Sequence, residues 1–437
     1  MPTPSDNDVL RMDGWPKGVN NRLRETESQA ATRNQFEVPS SPWLRSAVNV
    51  DLTKDGHPLR RVGYALKSSG FTHSLWSDPR IGYGLCVKDG WLTHIDAHGA
   101  ETQLQEVSPY LPVSYTELNG EVYWSNGESL GRVVGKQAKH WGVAVAPEPA
   151  VTTVAAGGLF AGTYQVAVSC SDADGVEHGA CESVSIEVAT GQGIRVAFGS
   201  VPDNAVDYNV YCSQANSEVL YLVATIAVAN SQFDVVQSAL GRGRQQETAH
   251  RQPPRAGQLV RAFSGRIYIA RRDTVFFTDP LRYHLTQPSQ GIFMFDADVT
   301  LLEPVRDGLY VGGDFGVVFI AGADPYNVSQ MAVSGAAPIP RAVTRVPGVR
   351  MGFAADDVPV FWLQDGVMYA GLGDGQVKTL TEDRLAVPTH RLGAMLLRER
   401  EGMSHVVSVL RQSGEESLLG ATDTVVAEIR RGCTKLN

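Results

Sequence analysis

The chain has 437 residues, 43% hydrophobic and 19% charged, with a formal net charge of −9. That length exceeds one ordinary core and predicts two or three folding units. The acidic balance argues against a dedicated nucleic-acid binder, which carries a basic face, although a neutral or acidic passage avoids sticking to phosphate.

Residues 1–40 are polar and without sustained period, an extended arm expected to pack on something else. The start, Met1-Pro2-Thr3-Pro4-Ser5-Asp6, has neither the basic nor the apolar region of a secretory leader, and no apolar run approaches the roughly 18 residues a membrane helix needs. No membrane span is expected. Trp43 to Leu52 alternates, turns at Lys54-Asp55-Gly56 and returns as Leu59 to Tyr64, which reads as a hairpin.

From Gly82 onward a short phrase recurs: a polar residue and a glycine, then a branched or aromatic strand. It stands at Asp89-Gly90-Trp91-Leu92, Asn119-Gly120-Glu121-Val122, Ser264-Gly265-Arg266-Ile267, Asp307-Gly308-Leu309-Tyr310 and Asp365-Gly366-Val367-Met368. Glycine takes φ > 0 at no steric cost and its short polar partner tolerates it, so each dipeptide is expected to close a tight hairpin. The interval of 145 positions between Gly120 and Gly265 stands out.

Pro147 and Pro149 open a different residue pattern inside that interval. Alternating strands run from Gly162 to Ser169, Ser183 to Val188, Gly193 to Phe198, Tyr208 to Cys212 and Tyr221 to Ile226, with a turn at Asp172-Ala173-Asp174-Gly175. Six or seven strands in about 95 residues is the density of an immunoglobulin-like sandwich. Gly241 to Gln246 and Pro253-Pro254 form a breaker-rich exit linker. Subtracting about 100 residues leaves about 45 between phrases, the size of a four-stranded propeller blade. The expected fold is all-β: a β-propeller in 41–146 and 249–437, interrupted by a fibronectin/immunoglobulin-like β-sandwich at 147–248.

Chemistry-bearing motifs are sparse. Asp172-Ala173-Asp174-Gly175 begins like a calcium loop, but the sixth and twelfth positions hold Glu177 and Ser183 where glycine and glutamate are required, so a hairpin turn is expected. Asp356-Asp357 has no partner base in view and reads as a turn before Pro359, and Gly371-Leu372-Gly373-Asp374-Gly375 as a turn between strands. Ten scattered histidines and no Cys-x-x-Cys point away from zinc. No nucleophile elbow or phosphate loop occurs. Cys86, Cys170, Cys181, Cys212 and Cys433 are an odd, sparse set, expected as free thiols of a reducing cytoplasm, with a Cys170–Cys181 bridge the alternative. Trp15, Trp43, Trp76, Trp91, Trp124, Trp141 and Trp362 are spread as blade cores would spread them, sugar stacking being the other reading. Arg60-Arg61, Arg271-Arg272 and Arg430-Arg431 suit solvated or inter-subunit ion pairs, or phosphate.

Two stretches carry a resemblance. Asn49 to Tyr64, with Asn49-Val50, Asp55-Gly56 and Arg60-Arg61-Val62-Gly63, resembles the opening strands of phage tail structural proteins. Tyr268 to Gly322, with Phe277-Thr278-Asp279-Pro280 and Leu302-Glu303-Pro304-Val305-Arg306-Asp307-Gly308, is similar to their middle. The family is the nozzle, or tail-hub, β-propellers of short-tailed bacteriophages, and Gly162 to Ser183 resembles the fibronectin type III-like inserts of virion proteins. The resemblance implies a structural virion protein, not an enzyme, with no catalytic residues, cofactor or metal. It implies a homo-oligomeric, hexameric ring at the distal tail that passes DNA in transit. Partners would be a tail adaptor, a plug and a tail fibre or spike, with assembly in the host cytoplasm. The alternative is a receptor-binding or baseplate protein contacting the host surface; a glycosidase lacks its pair of carboxylates.

Overall fold

The computed structural model describes residues 19–22, 44, 50–53, 57–60, 68–350, 352, 357–385, 392–400, 403–411 and 423–429. Among them the chain is all-β, with two 3-10 turns at Gln237–Ala239 and Gly348–Arg350. They divide into two compact units, one of residues 70–296 and one drawn from 1–69 and 297–437. The turn at Lys54-Asp55-Gly56 and most of the arm 1–40 lie outside the described residues.

Strands are numbered in chain order; β1 (Val50–Leu52) and β2 (Pro58–Arg60) pair antiparallel in the second unit. In the 70–296 unit, β3 (Thr72–Ser77), β4 (Gly84–Lys88), β5 (Trp91–Ile95) and β6 (Glu101–Glu106) form one up-and-down antiparallel sheet. A second holds β7 (Ser114–Leu118), β8 (Glu121–Ser125), β9 (Leu130–Val134) and β10 (Gln137–Lys139). Sequence sets the order of burial. The inner strands β4 and β5 bury Leu85, Val87 and Leu92, whereas β6, Glu-Thr-Gln-Leu-Gln-Glu, is a polar edge that discourages pairing with another chain. Leu85, Val87 and Leu92 share a core with Val122, Trp124 and Val133 of the neighbouring sheet.

The inserted segment supplies β11 (Ala150–Val154), β12 (Gly162–Ser171), β13 (Val184–Val188), β14 (Gly193–Ala197), β15 (Asp207–Ser213), β16 (Leu220–Ala227) and β17 (Gln232–Val235). They form two sheets, β11-β14-β17 and β13-β12-β15-β16. Ile194, Val196 and Val235 of the first fill one core with Tyr164, Val166, Val210 and Cys212 of the second, and the linker residues Val143 and Ala146 join it.

After the insert the turn-and-strand pattern resumes with β18 (Leu259–Phe263), β19 (Arg266–Arg271), β20 (Thr274–Asp279), β21 (Arg282–Thr286) and β22 (Ile292–Met294), which pairs with β20. This sheet lies beside β7–β10 despite the long interval. Val260 N–H donates to Ser114 Oγ at 3.0 Å and Ala262 N–H to Thr116 Oγ1 at 2.9 Å. Tyr123, Trp141, Val260, Ile267, Ile269 and Tyr283 form the core between them.

The second unit continues with two four-stranded sheets, β23 (Val299–Val305), β24 (Gly308–Gly313), β25 (Gly316–Ala321), β26 (Ser329–Ser334), then β27 (Pro338–Arg345), β28 (Val360–Gln364), β29 (Val367–Gly371), β30 (Val377–Thr379). A three-stranded sheet of β31 (Leu392–Arg400), β32 (Met403–Arg411) and β33 (Asp423–Ile429) follows. Cores again lie between successive sheets: Tyr310, Phe319 and Trp362 in one, Phe361, Leu363, Val406 and Leu410 in the next. Among the described residues no sheet closes on itself.

Four of the five glycine phrases are tight hairpins, with Asp89/Gly90, Asn119/Gly120, Ser264/Gly265 and Asp365/Gly366 all at φ between +46° and +82°. The fifth differs. Gly308 has no positive φ and begins β24, where an added Cβ would stand 2.1 Å from the Ile320 carbonyl oxygen. Glycine is there for close backbone approach, not for the turn.

Candidate functional site

Asp172 and Asp174 stand in the turn after β12, but their carboxylates serve different partners. Asp172 Oδ1 accepts the backbone N–H of Asp174 at 3.0 Å and of Val176 at 2.9 Å, which is why the chain turns here. Asp174 faces Arg132 at 2.7 Å and Lys139 at 2.8 Å. Asp357 is buried and Asp356 lies outside the described residues. Gly371 belongs to β29 against the Tyr310 ring, and Leu372 N–H closes the following turn on Gln376 O at 2.8 Å. Trp124, Trp141 and Trp362 are buried, Trp76 is half-buried and Trp91 exposed, while Trp15 and Trp43 lie outside the described residues. Cys86, Cys170, Cys181 and Cys212 are free and buried. Burial pushes the Cys170 thiol up to about 12, which makes it a poor nucleophile. Arg60, Arg271 and Arg272 are exposed; Arg61, Arg430, Arg431 and Cys433 fall outside the described residues.

The other oxygen of Asp172 opens a site with no signature in the sequence. Oδ2 lies 3.3 Å from His178 Nε2 and 3.4 Å from His140 Nε2, and the Asp172 and His178 side chains are 3% and 2% exposed. The three ligand atoms lie within 4.8 Å of one another. His284, on β21, stands edge-on to His178 with ring centroids 4.9 Å apart, and its Nε2 donates to the Glu177 carbonyl at 2.9 Å. These histidines are 38 and 106 positions apart, so no spacing motif announces them. They meet because the loop after β12 folds back onto the linker after β10 and onto β21.

Spacing alone fits a metal centre; the tautomer does not. His178 Nδ1 accepts the Val143 N–H at 3.2 Å. A neutral imidazole has one N–H and one lone pair, so the proton sits on Nε2 and is donated to Asp172. A metal at Nε2 needs the lone pair there and the proton on Nδ1, where it would confront the Val143 N–H. Metal-bound histidines present their other N–H to an acceptor. Burial, then the neighbouring His284, lowers His178 to about 4. Burial lowers His284 as well. For Asp172 burial acts upward, but the Val176 N–H and His178 outweigh it and hold the carboxyl below its ordinary value.

Beside the cluster, a cavity of about 200 Å³ is lined by Glu177, Arg244, Glu247, Arg282 and His284 among others. Glu177 accepts hydrogen bonds from Ser169 Oγ at 2.5 Å and Tyr211 OH at 2.7 Å and pairs with Arg244, while Arg282 pairs with Glu247. With its carboxylates and guanidinium groups committed to each other, the cavity offers no anion clamp.

No family model matches the chain, and no curated protein matches it. Among solved structures it is similar to the AfRom2 CNH domain, at 8% identity over 75% of this chain and 85% of that one, with a TM-score of 0.24. It is also similar to the extracellular domain of a one-component system from B. thetaiotaomicron, at 10% identity, 87% and 61% coverage and a TM-score of 0.24. The extracellular domain of a hybrid two-component system from the same organism gives 10%, 84% and 60%, and 0.23. At these scores the likeness carries no argument about fold or function.

Proposed function

We propose that the chain is a structural protein of a bacteriophage tail, a nozzle or hub subunit that forms a ring around the path of DNA. In this reading the four-stranded sheets are propeller blades and residues 147–248 a fibronectin type III-like sandwich set into them. The observation that carries it is the run of up-and-down sheets packed one on the next, in which β7–β10 continues directly onto β18–β21 across the inserted segment. With it go the Asn49 to Tyr64 and Tyr268 to Gly322 resemblances. The function is mechanical, and the tight Glu177 and Asp172 networks serve to hold the insert. Fold by itself does not give function, so the test is assembly. Cryo-electron microscopy of the purified chain with a tail adaptor should show closed rings of six copies, whereas the chain alone should stay a monomer or weak oligomer. A chain that stays monomeric with the adaptor and instead binds host cells would favour the receptor-binding alternative.

A further inference from the structure

The inserted module is joined to its host sheets where four segments converge: the linker after β10, the loop after β12, the exit segment and β21. Trp141 Nε1 donates to Tyr283 O at 2.8 Å, fixing the incoming linker to β21, and two residues later Val143 N–H donates to His178 Nδ1. Val143 itself is 1% exposed and belongs to the module's core. His178 thus ties this linker to the loop through a titratable acceptor.

We propose that His178 is a proton-operated latch: neutral, its Nδ1 holds the Val143 amide, and a proton added at Nδ1 turns that acceptor into a donor and frees the linker. The geometry requires the switch. Nε2–H is already committed to Asp172 Oδ2, so Nδ1 is the nitrogen left to take a proton, and two N–H groups cannot share the contact. The surrounding charges pair elsewhere. Asp174 of the loop is held by Arg132 and Lys139, and Arg132 also meets Glu121. Glu177 is held by Arg244 of the exit segment, Glu247 by Arg282 of β21, and Arg251 by Asp279 of β20. Asp172 faces the ring and favours its charged form, while His140 and His284 oppose it. Acid therefore acts on a buried ring whose neighbouring carboxylates, among the described residues, are already engaged.

The test uses the full chain with ¹⁵N-labelled histidine. At neutral pH His178 should show the Nε2–H tautomer and stay neutral until the pH nears 4. From about pH 6.5 down to about pH 4 the Val143 amide, corrected for intrinsic exchange, should lose protection about tenfold per pH unit, because the opened ring takes its proton near the ordinary value of 6.5 while the latched ring resists it to about 4. The amides of Val210 and Val122 should remain protected through the same range. His178→Gln, whose carbonyl still accepts from Val143, should abolish the step; should it fail to fold, the wild-type tautomer and exchange decide alone. An Nδ1–H tautomer, saturable shifts of the His178 signals with micromolar zinc chloride, loss of Val143 and Val210 protection together, or an unchanged step in His178→Gln would each overturn the latch.

Discussion

At the scale of single residues, two kinds of glycine that look alike in sequence separate by mechanism. Gly120 and Gly265 have open space where a Cβ would stand, and only their positive φ excludes other residues. Gly120→Val or Gly265→Val should therefore cost on the order of 1–3 kcal/mol, measured by thermal or urea melting. Gly308→Val should be worse than either, because its Cβ overlaps the Ile320 carbonyl and backbone must move. Equal losses at all three would refute the distinction. His178 makes a pH prediction of definite sign. Its ordinary value is 6.5 and its folded value about 4, so between them the unfolded chain binds a proton that the folded chain refuses. Stability is full above about pH 6.5 and falls toward pH 4 by up to about 3 kcal/mol. Asp172, held below its ordinary carboxylate value, withdraws its contribution only at still lower pH. A urea midpoint that is flat from pH 7 to pH 5 would show that His178 is not buried in the neutral form.

At the scale of elements, the sequence was most legible where one local rule decides the outcome. Turn dipeptides and alternation located most hairpins, since φ and face are set within a few residues. The change of pattern at Pro147 corresponds to a segment with its own two sheets and core, and Asp172 to Gly175 is the turn its spacing implies. What stayed hidden was long-range: the Asp172–His178–His140–His284 cluster joins residues from three elements, and no period or motif encodes that meeting. Val143 and Ala146 likewise precede the composition shift, yet they sit in the insert's core. A fragment of residues 142–248 should thus melt cooperatively and higher than 147–248, because a fully buried valine contributes about 1.5–3 kcal/mol. Circular dichroism of the two fragments checks this, and a non-cooperative 142–248 would sink the claim. Conversely, Val145, Ala146, Arg251 and Gln252 line one cavity, so the ends of the insert stand side by side. Replacing 147–248 by a short Gly/Ser linker should leave a soluble, folded chain, since closing a short loop costs little.

At the scale of the whole molecule, the proposed ring needs contacts beyond edge strands such as β6 and β10, which are polar and discourage pairing with another chain. The arm 1–40 is the candidate, yet one part of it is occupied within its own chain. Asn20 is buried, its Nδ2 donates to Asp383 O at 3.3 Å and its N–H to Leu44 O at 2.8 Å, while Asn21 N–H reaches Arg384 O at 3.0 Å. The expectation that all forty residues pack on a neighbour therefore has to be divided. Deleting residues 1–18 should leave thermal stability unchanged while abolishing incorporation into rings, because it removes polar chain with too little apolar content for a core of its own. Deleting 1–40 should in addition lower stability by about 1–3 kcal/mol, because it removes the buried Asn20 and the hydrogen bonds that Asn20 and Asn21 make to Leu44, Asp383 and Arg384, each contributing roughly 0.5–1.5 kcal/mol net. Melting curves of the two truncations, together with their occupancy in adaptor-templated rings by electron microscopy, separate the roles. Normal occupancy of the 1–18 deletion would remove the arm from assembly, and an unchanged melt of the 1–40 deletion would show that the Asn20 contacts do not hold the fold.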